Sequence, residues 1–163
     1  MDPVSALGLV SSLIAITQVA AGSLIRVKRL QSKYKSSSLV LSLLFGQLNT
    51  LKAALTQITE WITSTLLDIS EQQQLMSDLE ISLESCKILI AVLEERVAHL
   101  ELNDQGVLNF RGKTSYLRGE LELNEFGAYL NNQIGALNLF LTALNWYVPP
   151  PSILDPTYFD RFL

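Results

Sequence analysis

Few side chains in this 163-residue chain are of a type that does chemistry, and none stands in a catalytic spacing. His99 is the only histidine and lies near Glu95 and Glu101, where it reads as a surface residue. Cys86 is the only cysteine, so neither a disulfide framework nor a cysteine-built metal site is available. It falls in an apolar seam and is expected to be a small core residue. Glu94-Glu95 and Glu120, Glu122 and Glu125 bring carboxylates together as general acid–base chemistry requires, but on helices such runs form a solvated face. Gly112-Lys113-Thr114 imitates the end of a phosphate-binding loop. That loop needs a glycine five residues before its last one, where this chain has Val107, with Gly106 one place too early. No catalytic, cofactor-binding or metal-ligating residue is therefore assigned, and no enzymatic activity is expected.

The elements that would position any site are helical. Asp2-Pro3 opens the first, with an N-cap acceptor and a proline suited to the first turn. Ser36-Ser37-Ser38 breaks it. Leu44, Leu48, Leu51, Leu55, Ile58 and Ile62 then recur at alternating steps of four and three, a heptad-like seam. A third seam runs Leu75, Leu79, Leu83, Cys86, Ile90, Leu93, Val97, Leu100 and stops at Asn103–Gly106. After a loop through Arg111-Gly112, a fourth runs Leu117, Leu121, Leu123, Leu130, Ile134, Leu137, Leu141 and Leu144, closed by Trp146 and Tyr147. No strand-period alternation competes. The spacing predicts helices over 3–33, 38–67, 71–102 and 113–147, hence an all-α, up-down-up-down four-helix bundle. Pro149-Pro150-Pro151 stops the last helix and stiffens a tail, 148–163, that is expected to be a Pro-rich linker or to dock on the bundle.

The first helix carries the functional signal. Pro3 to Ile25 holds no charged side chain, and Arg26, Lys28, Arg29, Lys33 and Lys35 follow at once. Roughly 20 apolar residues cross a bilayer's hydrocarbon core, but Ser5, Ser11, Ser12, Thr17, Gln18 and Ser23 temper this stretch, leaving it suited to a protein core or a lipid interface. Two stripes run along it. Leu7, Val10, Ile14 and Leu24 are expected to pack on the other three seams; Leu9, Leu13, Ile16, Ala20 and Val27 form the stripe a bundle has less need to bury. Leu7, Leu9, Val10, Leu13, Ile14 and Ile16 are the candidate membrane-inserting residues, and the five basic residues the candidate headgroup contacts. Up to Thr59 there are six basic residues against Asp2 alone, a net +5; from Glu60 onward six basic face fifteen acidic, a net −9. The basic third suits anionic lipid, or pairs with the acidic remainder in the fold; the remainder argues against nucleic acid as a partner. Without a positive n-region the N-terminus does not read as a secretory signal, despite Val19-Ala20-Ala21 as a possible cleavage site. One cysteine and no glycosylation sequon favour a reducing interior compartment.

Three segments resemble the N-terminal domain of fungal STAND receptors, the NLR-like proteins: Met1–Leu9 (MDPVSALGL), Leu39–Trp61 with its leucines around Asn49, and Asn131–Leu144 (NNQIGALNLFLTAL). The resemblance covers about residues 1–147 and rests on helix-packing patterns. It points to the HeLo-like domains, similar in fold to the four-helix domain of the mixed-lineage kinase domain-like pseudokinase. It implies a cell-death or heterokaryon-incompatibility effector of innate immunity, cytoplasmic at rest. Such domains are held inactive in a receptor, oligomerise, and permeabilise the plasma membrane through the N-terminal helix. The nucleotide-binding or repeat domains that normally follow, and an amyloid-type signalling motif, are not among these residues, which fits a fragment with Val148–Leu163 as the start of a linker. The rival expectation is an adaptor or oligomerisation module in which helix one is permanent core.

Overall fold

The computed structural model describes residues 3–33, 38–65, 73–102 and 110–147, with side chains over 7–32, 39–64, 74–98, 119 and 121–146. All of these residues are helical. The helices are α1 (Pro3–Lys33), α2 (Ser38–Thr65), α3 (Gln73–Leu102) and α4 (Phe110–Tyr147). α1 begins on the proline and α2 on the last serine of the serine run, so the local signals set both starts. α4 begins at Phe110, not Lys113, and takes Arg111-Gly112 into the helix. One interior glycine costs only about 1 kcal/mol, too little to stop a helix of 38 residues. Asp2, the Asn103–Gly106 stop and the tail 148–163 lie outside the described residues.

α1 packs on α2 and α3, and α4 on α2 and α3. The order around the bundle is therefore α1, α2, α4, α3, and the successive helices α2 and α3 face each other across the diagonal. Three side-chain links fix the directions. Gln31 Nε2 donates to Ser42 Oγ at 2.8 Å, joining the end of α1 to the start of α2. Arg96 reaches Glu122 at 2.8 Å, and Gln133 Nε2 donates to Ser82 Oγ at 2.7 Å, so α3 and α4 are antiparallel. The result is the up-down-up-down, all-α four-helix bundle that the seams specify.

All six seam residues of α2 are buried, as are Leu79, Leu83, Cys86, Ile90, Leu93 and Val97 of α3. In α4, Leu123, Leu130, Ile134, Leu137 and Leu144 are buried, but Leu121 is exposed and Phe126 takes its place. Leu121 and Leu123 are two apart and cannot share a helix face. Phe126 stands three after Leu123 and four before Leu130, and Met76, also buried, stands three before Leu79. The helical step was there to find both. The side chains of Leu100, Leu117 and His99 lie outside the described residues.

Candidate membrane-contact site on the first helix

The stripe that α1 turns inward is the reverse of the expected one. Leu13 is 0% exposed and Ile16 2%, whereas Leu7 is 61% and Ile14 45% exposed. Leu9, Ala20, Val27 and Leu30 complete the inner stripe, Leu24 sits at its edge, and Val10 is partly buried against the core. The cause is the C-terminal half of the helix. The stripe that starts at Leu7 and passes Leu24 continues into Lys28 and Gln31; the one that starts at Leu9 stays apolar through Leu30. A bundle buries the stripe that is apolar over the whole length.

The six membrane candidates thus divide by face. Leu9, Leu13 and Ile16 are core; Leu7 and Ile14 face outward and are continued by Ile25, also exposed; Val10 lies between. Arg26, Lys28 and Arg29 are exposed in the last two turns of the described face. Lys33 and Lys35 have side chains outside the described residues. Lys87–Glu84 and Arg96–Glu122 are ion pairs within the acidic remainder.

The polarity of α1 is smaller than its composition suggests. Ser11 Oγ donates to Leu7 O at 2.9 Å, Thr17 Oγ1 to Leu13 O at 2.8 Å, and Ser23 Oγ to Val19 O at 3.1 Å. Each hydroxyl proton is satisfied by the carbonyl one turn back, as a helix in an apolar medium requires. Over Leu7–Ser32 the helix is long and apolar enough to cross a bilayer, with 33% of the window buried, and the same holds for α2 over Leu39–Ser64. Beside α1, a cleft of about 340 Å³ opens against α3, between Gly8, Ser12, Glu80 and Lys87.

Cys86 is buried, and burial pushes its thiol up from 9.0 to about 11, with a hydrogen bond to Gln133 pulling the other way. A thiol held protonated is a poor nucleophile. Among the described residues no group of three or more His, Cys, Asp or Glu side chains is placed to hold a metal ion. No protein family matches the chain, and no curated protein or solved structure matches it.

Proposed function

We propose that this bundle is the membrane-targeting, cell-death-inducing effector domain of a HeLo-like fungal NLR-like receptor, acting at the plasma membrane through α1 after self-association. The observation that carries the reading is the combination on α1. A charge-free stretch from Pro3 to Ile25 already presents Leu7, Ile14 and Ile25 to solvent and ends in Arg26, Lys28 and Arg29. Apolar side chains at headgroup depth and cations facing anionic lipid are the two terms that hold a helix at a membrane.

The burial of Leu13 and Ile16 sets the energetics. Taking α1 off the bundle re-exposes Leu9, Leu13, Ile16, Leu24, Val27 and Leu30. At roughly 1.5–3 kcal/mol each the cost is on the order of 9–18 kcal/mol, as large as the whole stability of an ordinary domain. Lipid returns that energy to α1 but not to the surfaces of α2 and α3 that it leaves. Those surfaces need a new cover, which a second copy supplies. Exit of α1 and the covering of those two surfaces by a second copy are on this ground one event, whatever contact between intact bundles precedes it. The same burial favours a second reading, in which α1 never leaves and the bundle is an adaptor or oligomerisation module of a STAND protein.

Dye release from liposomes decides between them. The effector reading expects release from vesicles containing anionic lipid, reduced when Arg26, Lys28 and Arg29 are all replaced by Gln and little affected on neutral vesicles. Absence of release and of binding by the wild type, even when oligomerisation is enforced, hands the chain to the adaptor reading.

A further inference from the structure

A second feature lies away from α1, where α2 and α4 run side by side. A cavity of about 260 Å³ opens between them, walled by Val40, Leu43, Leu44 and Leu123 and floored by Gly127. Its volume is below the ~300–1,000 Å³ of pockets that hold drug-sized ligands, so it fits a single side chain better than a cofactor. No charged residue lines it. Gln47 stands at its base with its Oε1 buried and without a hydrogen-bond donor. Leu39, Leu43 and Leu121 are exposed around this end of the two helices. The cavity is lined mainly by apolar side chains, with Asn124 and Asn131 also on its α4 wall, and Gln47 Oε1 is a buried acceptor without a donor, which is rare for buried polar atoms.

The complementary group is on the same chain. Trp146 is 84% exposed, the most exposed of the large hydrophobic side chains described. An indole is an apolar plate with a single N–H donor and no acceptor. It cannot fill the cavity of its own molecule. Gly127 and Trp146 belong to one continuous helix, 19 residues apart in sequence, which sets them about 28 Å apart along its axis. Another copy meets no such limit. From Phe126 to Tyr147 α4 carries no charged side chain, so this half can approach another molecule without the repulsion that a net charge of −4 otherwise imposes.

We propose that the α2–α4 cavity is the receiving half of a head-to-tail contact between copies of this chain, filled by Trp146 of the neighbour, with the Gln47 amide turning away from Gly127 so that its Oε1, buried in the unfilled cavity, accepts from the indole N–H. It deepens the self-association part of the proposed function and needs no lipid. Knob and hole lie at different places on the surface, so the contact is heterologous. It leaves a knob open at one end and a hole open at the other, and grows into a ring or an open array.

Sedimentation of the full chain without lipid, across a wide range of concentration, tests it. Wild type is expected to assemble beyond a dimer. Trp146→Ala lacks the knob and Leu43→Glu places a charge in the hole; both positions are exposed, and circular dichroism checks their folding. Each variant alone is expected to stay monomeric. Mixed, they are expected to give a capped one-to-one dimer, because each keeps the half that the other lost. Trp146→Phe and Gln47→Leu are each expected to weaken assembly several-fold, and together little more than either alone, because both remove one bond. Assembly of either knob or hole variant at the wild-type level overturns the proposal. So does a mixture that stays monomeric, or a wild type that is monomeric up to millimolar concentration. Burial of Trp146 by the chain's own tail would give that last result. Dye release is scored separately, so loss of the contact and loss of membrane activity are distinguishable.

Discussion

At the scale of single residues, Leu13 and Ile14 are adjacent in sequence yet belong to different environments. Leu13 is wholly buried and Ile14 nearly half exposed. Leu13→Ala should therefore destabilise the bundle by about 2–5 kcal/mol, the range for buried leucines that leave a cavity. Ile14→Ala should change stability by about 0.5 kcal/mol or less while weakening adsorption to vesicles. Chemical denaturation and vesicle co-sedimentation of the two variants check this; equal loss of stability in both would mean that α1 is rotated from the position described. Leu13→Glu is a poor probe of lipid contact, since it unfolds the bundle first. Cys86 carries a different test. Its folded-state pKa lies near 11, above the 9.0 of an unperturbed thiol. A group raised in this way contributes stability that is whole below about pH 9 and is lost as pH rises through about 11. The alkaline decline in stability should be shallower in Cys86→Ala than in wild type, as measured by denaturation at successive pH values.

At the scale of helices, α2 and α4 meet closely at one point. A Cβ on Gly127 would lie 3.0 Å from Gln47 Oε1, whereas a Cβ on Gly22 or Gly46 would meet nothing within 4 Å. Glycine inside a helix costs roughly 0.5–1 kcal/mol relative to alanine. Gly22→Ala and Gly46→Ala should each return that amount, raising the melting temperature by about 1–4 °C. Gly127→Ala should gain less, because the Gln47 amide must move aside. Thermal melts of the three variants rank them; a Gly127→Ala variant as stabilised as the other two would show that the close approach carries no cost. The helices themselves were legible from spacing alone, because leucines at steps of three and four leave little choice of period. The inward face of α1 was not. Both of its stripes are largely apolar through the first six turns, with Thr17 the one polar member of the first, and Lys28 and Gln31 against Val27 and Leu30 decide between them. The cavity at Gly127 was hidden for another reason. It depends on which helices are neighbours, and the step along one helix says nothing about its partner.

At the scale of the whole molecule, the charge imbalance maps onto the architecture. Residues 1–65, with α1 and α2, hold six basic against two acidic side chains; residues 73–163, with α3 and α4, hold six against twelve. Each half is an antiparallel pair, tied by Gln31–Ser42 in the first and by Arg96–Glu122 and Gln133–Ser82 in the second. The cationic pair and the anionic pair pack along α1–α3 and α2–α4. Because α2 and α3 are diagonal partners, the covalent tether 66–72 joins two successive helices that share no large interface. Contacts within each pair are the more local in sequence and are expected to close first, with the two hairpins then docking under the attraction of their opposite charge. Cutting the chain between 65 and 73 should leave halves that recombine when co-expressed, with an affinity that falls as salt rises. Helical content of the mixture above the sum of the separate halves is the expected readout, and two halves that stay apart would show that the tether is needed. If the halves recombine, the diagonal order of this bundle makes it in effect a complex of two peptides held by one covalent link, whose members can be exchanged once that link is cut.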